Sequence, residues 1–317
     1  PAGPDFSLPV DVYVDAYSEP NAPIGTSAPF TFDFRDVLTG APIELAPGDY
    51  QVRVTLAGEP GTVVYDSGRL PLAAGDDLTL AAVPNTSGGG AALSLVALNG
   101  AEAVEFADVN VPTGLRIGHL SPDTPEVDVV VDGEIFLGNV PFPAVTEIGA
   151  LPAGTYNVAV QPSIAPGTFP IGPVDLTFEA GTWYTVLAVD FLDNIEPLIL
   201  DDDARPLATS AKVRIVHASP TAQDVDIYVV APGTDINTVD PTLTAVPFKA
   251  NTGYIALPEG DYEVTVTPTG TKDAAIGPAA ISIENGGVYT AIARDPLPGS
   301  MEFGLIVLVD ELIEAVL

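Results

Sequence analysis

Gly154-Thr155-Tyr156-Asn157-Val158-Ala159-Val160 alternates polar and apolar side chains after a glycine, the period-two pattern of a half-buried β-strand leaving a turn. The stretch recurs as Gly48-Asp49-Tyr50-Gln51-Val52-Arg53-Val54 and as Gly260-Asp261-Tyr262-Glu263-Val264-Thr265-Val266, so its three glycines stand 106 residues apart. Working outward, a Val-Asp pair precedes each copy: Val10-Asp11-Val12-Tyr13, Val127-Asp128-Val129-Val130 and Val225-Asp226-Ile227-Tyr228. A third anchor follows each copy, with Gly75 before Leu78-Thr79-Leu80, Gly181 before Trp183-Tyr184-Thr185-Val186 and Gly286 before Val288-Tyr289-Thr290-Ala291. Three anchors in one order describe a tandem duplication, which places repeats at residues 1–111, 112–209 and 210–317. The junctions are short and contain Pro112 and Pro206, so a semi-rigid rod of three modules is expected.

Glycine and proline, 30 and 32 in 317 residues, fall mainly between the apolar runs, where they set turns and stop helices from propagating. About seven strands per 100 residues predict an all-β chain of three tandem antiparallel immunoglobulin-like β-sandwich domains. Only the tail, Asp310 to Leu317, permits a helix. Ten Lys+Arg stand against 43 Asp+Glu, a formal charge of -33 that opposes phosphate backbones and anionic lipid and excludes nucleic acid as a partner. Cysteine is absent, which removes disulfides, thiolate metal sites and cysteine nucleophiles, and with the acidity fits a prokaryotic exported protein. No run of 18 apolar residues predicts membrane insertion, and the start, Pro1-Ala2-Gly3-Pro4-Asp5, reads as that of a mature exported form.

Repeats two and three open with Leu115-Arg116-Ile117-Gly118-His119-Leu120-Ser121-Pro122 and Val213-Arg214-Ile215-Val216-His217-Ala218-Ser219-Pro220, each reaching its Val-Asp pair nine residues after the histidine. With the Leu-Pro-x-Gly-x-Tyr turns at Leu151 to Tyr156 and Leu257 to Tyr262, this resembles the bacterial and archaeal surface family called "domain of unknown function 4397". The resemblance covers repeats two and three fully and repeat one in part. It implies exported, repeat-built envelope proteins with sandwich-like domains, and carries no catalytic residue, substrate or cofactor.

Repeat one departs at its start: nine residues before Asp11 stands Ala2, so the first strand of the pattern is missing. An edge with unpaired backbone groups invites β-strand addition from a neighbouring chain. Val10 and Val12 would border that gap, and the apolar tail residues Leu312, Ile313, Val316 and Leu317 would fill it in the next subunit.

His119 and His217 hold equivalent positions in different repeats, so with Ser121, Asp128, Ser219 and Asp226 they read as a hydrogen-bond lock of the first turn. Neither serine lies in a Gly-x-Ser-x-Gly elbow, and the proline after each marks turn chemistry. Asp201, Asp202 and Asp203 are candidate Ca²⁺ ligands at the second junction, without the Asp-x-Asp-x-Asp-Gly loop that would make the signal specific. Tyr50, Tyr156 and Tyr262, each following a turn glycine, read as core or corner tyrosines. No clustered carboxylate pair or His-Asp-Ser set within one repeat points to an enzyme. The expected function is a non-enzymatic structural subunit of the cell surface, without cofactor, whose partners are copies of itself joined head to tail in a filament. The alternative is a monomeric adhesion or glycan-binding module.

Overall fold

The computed structural model describes residues 8–18, 23–25, 28–38, 42–84, 93–100, 102–203 and 205–310. The first repeat contains β1 (Val10–Ala16), β2 (Phe30–Phe32), β3 (Gly48–Leu56), β4 (Glu59–Asp66), β5 (Leu70–Leu72), β6 (Thr79–Pro84), β7 (Leu93–Leu98) and β8 (Ala103–Phe106). The second contains β9 (Thr113–His119), β10 (Val127–Val131), β11 (Glu134–Val140), β12 (Gly149–Leu151), β13 (Gly154–Pro162), β14 (Ile171–Phe178), β15 (Trp183–Val189) and β16 (Glu196–Asp202). The third contains β17 (Ala211–His217), β18 (Val225–Val230), β19 (Leu243–Val246), β20 (Ile255–Leu257), β21 (Gly260–Pro268), β22 (Ile276–Ile283), β23 (Val288–Arg294) and β24 (Gly304–Val309). The chain is all-β. Among the described residues the only helices are single 3-10 turns at Leu192–Asn194 and Ile236–Thr238.

The second and third repeats share one topology. Their sheets run β11-β10-β13-β14 with β12-β9-β15-β16, and β19-β18-β21-β22 with β20-β17-β23-β24. In the third repeat, Val213 and Ile215 of β17 meet Val225 and Ile227 of β18 and Val264 and Val266 of β21 in one buried cluster. The two sheets therefore face each other, and the alternation read from sequence is the alternation between this core and the opposite sheet face. The sheets are not purely antiparallel, as the sequence pattern suggested. The first strand of each of these repeats lies parallel to the penultimate one, from Gly114↔Trp183 to His119↔Ala188 and from Lys212↔Val288 to His217↔Ala293. A period-two pattern is blind to strand direction, so this pairing could not be read from it.

The first repeat builds its second sheet from three of its own strands, β6, β7 and β8. Each repeat ends in an antiparallel hairpin, β7 with β8, β15 with β16 and β23 with β24, which makes β7 the counterpart of β15 and β23. Where those two accept the first strand in parallel, β7 accepts β6 in antiparallel, from Thr79↔Leu98 to Pro84↔Leu93. The Gly75 anchor, equated in the sequence with Gly181 and Gly286, leads into this strand. Val10 and Val12 border no gap. Strand β1 is paired on both sides, with Val10 opposite Phe32 and Leu56, and both valines pack on the Val52, Val54 and Tyr65 core. Leu312, Ile313, Val316 and Leu317 lie outside the described residues.

The pairing of β6 with β7 is testable by hydrogen exchange. Amides of residues 79–84 and 93–98 are expected to be protected together, and free exchange across 79–84 with protection kept at 93–98 would contradict that pairing.

Candidate functional site: the interface between the second and third repeats

The recurring polar residues first explain how each repeat holds its shape. On the central strands β1, β10 and β18, the repeated aspartate ties both neighbours. Asp128 accepts from Asn139 N–H at 2.9 Å and from Ser163 Oγ at 2.6 Å; Asp226 accepts from Ala245 N–H at 2.8 Å and Gly270 N–H at 2.9 Å. Asp11 accepts from Gly58 N–H at 2.8 Å and Thr31 Oγ1 at 2.6 Å. Asn139 and Ala245 sit at positive φ, 56° and 49°, beside register shifts in the β10–β11 and β18–β19 pairs, so the carboxylate fixes an irregular edge strand. Hydrogen bonds from Ser163 and Asn139 hold the Asp128 carboxyl below the ordinary value, and backbone donors from Gly58, Gly270 and Ala245 do the same for Asp11 and, against the effect of burial, for Asp226.

These aspartates do not touch the histidines, contrary to the single lock read from sequence. His119 Nε2 donates to Pro125 O at 3.1 Å while Nδ1 accepts from Ser121 N–H at 3.5 Å; His217 Nε2 donates to Gln223 O at 2.6 Å and Nδ1 accepts from Ser219 N–H at 3.3 Å. Each ring is a buried neutral imidazole that pins its own loop, and burial lowers the pKa of both. Ser121 Oγ bonds Thr124 Oγ1, and Ser219 Oγ donates to Asp295. The third repeat therefore gathers His217, Ser219 and Asp295, but the serine hydroxyl is turned to the carboxylate and both ring nitrogens are engaged with backbone, so the imidazole does not reach the serine hydroxyl as it does in a Ser-His-Asp triad. Tyr50, Tyr156 and Tyr262 each donate a hydroxyl to the carbonyl four residues back, Ala46, Pro152 and Pro258, at 2.8, 2.7 and 3.0 Å, as corner tyrosines do.

What sequence reading missed is that the second and third repeats share a core. Leu120, Leu187, Val189 and Leu200 of the second pack with Val216, Ala218 and Ile292 of the third, with Leu198, Phe248, Ile306 and Leu308 at the margin. The residues come from the outward faces of β15, β16, β23 and β24, from β17, and from the loops that follow β9, β17 and β19. Strand β17 is consequently buried at all seven positions. Face-to-face docking replaces the expected rod for this pair of repeats. At Gly118 an added Cβ would lie 2.5 Å from Leu187, whereas the equivalent Val216 is fully buried, so the contact is sized position by position.

Charges cross this apolar seam reciprocally. Arg116 of the second repeat pairs with Asp310 beyond β24 at 2.5 Å, and its counterpart Arg214 pairs with Asp202 at the end of β16 at 2.5 Å; all four side chains are buried. Thr290 Oγ1 accepts from Arg214 and donates to Asp310, and Thr185 Oγ1 donates to Asp202. The exchange of equivalent residues relates the two repeats by a pseudo-two-fold axis, the arrangement of an isologous dimer within one chain. The symmetry is broken at the rim. Tyr254 lies under Arg214 with the guanidinium carbon 4.7 Å from the ring centre and donates to Asp310 at 3.2 Å, and Lys249 of the third repeat pairs with Glu196.

The aspartate run expected to hold Ca²⁺ is spent here instead. Asp202 faces Arg214, Asp203 pairs with Lys212 at 2.6 Å and Arg205 at 3.2 Å, and the Asp201 carbonyl accepts from Arg214. Successive strand residues point to opposite faces, so the three carboxylates do not converge. Among the described residues no group of three His, Asp or Glu could hold a metal ion. Burial pushes the Asp202 carboxyl up despite Arg214, while Lys212 and Arg205 outweigh burial at Asp203 and hold it low.

The geometry defines an all-β protein of repeated, mutually docked units. The chain belongs to the family described as "Domain of unknown function (DUF4397)", which matches residues 113–228 and 230–316. The first match runs past the junction through β17 and into β18, and residues 1–112 lie outside both. No curated protein matches. Among solved structures, the Bacillus anthracis TIE protein aligns at 11% identity and a TM-score of 0.21, over 91% of this chain and 52% of that one, so the chain spans about half the length of that structure.

Two outcomes follow. Replacing Arg214 by Met leaves Asp202 buried without its partner and is expected to cost about 3–5 kcal/mol, while Arg214→Met combined with Asp202→Leu recovers most of that loss, as read by denaturant unfolding. Equal losses in the single and double variants would show the pair to be uncoupled. As pH falls below the unfolded histidine pKa of about 6.5, the unfolded chain takes up protons that buried His119 and His217 refuse, so stability drops until the lowered native values are reached. The urea midpoint should therefore decline from pH 7 to 5, and a His119→Gln/His217→Gln variant should show a flatter profile over that window. An unchanged slope would assign the decline to other groups.

Proposed function

We propose that the chain is a non-catalytic structural protein of the extracellular surface, three immunoglobulin-like sandwiches in tandem, with the second and third acting as one locked unit. The observation that carries this reading is how the recurring polar side chains are used. Both histidine rings, both serines and the repeated aspartates are engaged in bonds within their own repeats, and the junction carboxylates of Asp202 and Asp203 are engaged in ion pairs. An exposed location is supported by the lack of cysteine and by 43 acidic against 10 basic residues, a composition that resists oxidation and keeps a surface protein soluble.

Assembly into a head-to-tail surface fibre is a second reading, now favoured by a different feature from the one read in the sequence. Strand β6 is the outermost strand of its sheet among the described residues, with Leu80 39% exposed, and an uncovered edge is a template for pairing with another chain.

The purified protein is expected to leave ester, peptide and glycoside substrates untouched. Hydrolysis that disappears in a His217→Gln variant would refute the structural reading. Negative-stain microscopy separates its two forms: filaments support assembly, and monodisperse particles restrict the protein to a surface module.

A further inference from the structure

The two sheets of the second repeat do not close fully on each other. A cavity of about 60 Å³ lies between them, walled by residues that include Ile117, Val129, Val160, Val186 and Pro197. The third repeat, with the same strand order, supplies larger side chains on and just before its last strand. Opposite Ala188, which pairs with His119, stands Pro197; opposite Ala293, which pairs with His217, stands Leu305. Two residues earlier the second repeat has Ile195 and the third has Phe303. Phe303 and Leu305 both pack against the third core, so the exchange to Ile and Pro removes volume from the second. Exposure reports the same difference. Ile215 and Ala291 are 4% and 2% exposed, whereas their counterparts Ile117 and Val186 are only half-buried.

The chemistry of the wall decides the occupant. Water needs two to four polar partners, and apolar cavities of about 150 Å³ stay dry yet admit xenon or benzene. Here the polar side chains at the wall, His119 and Tyr156, already bond to backbone groups. Nothing on the wall carries a charge that could fix a polar head group. The volume is less than half of the about 150 Å³ of a cavity that admits benzene, which suits a slender apolar guest. We propose that the second repeat binds the end of an alkyl chain between its sheets, with the remainder of the ligand outside. The inference rests on the cavity and is independent of whether the protein assembles.

The test uses the full chain, with xenon as the probe of the cavity and hexanol as the probe of alkyl binding. Methyl resonances of Ile117, Val129 and Val186 are expected to shift saturably under xenon pressure, and hexanol is expected to raise the thermal midpoint and shift the same methyls. Pro197→Leu, which restores the residue type of the third repeat, should remove both responses while leaving the third repeat's methyls unmoved. Ile195→Phe serves the same purpose should Pro197→Leu fail to fold. Absence of saturable shifts in the parent chain, or their persistence in a folded filled variant, would overturn the proposal. Xenon shifts without any response to hexanol would overturn the alkyl assignment.

Discussion

Four buried charges on one apolar seam constrain this molecule more than any other feature. Arg116 with Asp310 and Arg214 with Asp202 are stripped of water, and each meets its counter-charge only when the opposite repeat is in place. Desolvation offsets most of the attraction in such pairs, so they add little net stability over an apolar contact of the same shape. The stability of the docking comes from Leu120, Leu187, Leu200, Val216 and Ile292. The ion pairs select the register, because any sliding or rotation would leave a charge in an apolar contact with no partner.

The repeated motif is divided between two tasks that the linear sequence presents as one. Its arginine and the residues around the histidine face the neighbouring repeat. Its aspartate and valines build the repeat's own interior, with the carboxylate holding an irregular edge strand to the turn on the other side. The histidine stands at the boundary, its ring pinned to the loop that joins β9 to β10 or β17 to β18, next to Phe142 or Phe248. A residue in that position sets how the loop presents Leu120 or Ala218 to the seam.

The parts of the structure legible in sequence were those governed by local rules. Strand content followed from alternation, the corner tyrosines from their turn glycines, and the repeat spacing from Gly48, Gly154 and Gly260. Long-range pairing was not legible. Nothing local to Thr79–Pro84 distinguishes a strand that replaces a missing neighbour from one that continues the pattern, because both alternate. The aspartate run at residues 201–203 looked like a cation site since its arginine and lysine partners lie 9 to 12 positions on, across the junction. A usable signal did exist: an arginine at the centre of an otherwise apolar strand in two repeats demands a buried counter-charge. With ten basic residues in the chain, such a position is conspicuous.

The crosswise pairing also ties the heredity of the two repeats together. Arg116 and Asp310 lie 194 positions apart, yet removing either would leave the other a buried charge without its counter-ion. Unequal recombination that dropped one of the two repeats would not shorten this protein neutrally. It would leave a single copy displaying an uncovered apolar face with an arginine and an aspartate set in it, a surface whose natural complement is a second identical copy. The two repeats are in this sense a single inherited unit, each carrying half of the charges that the other must meet.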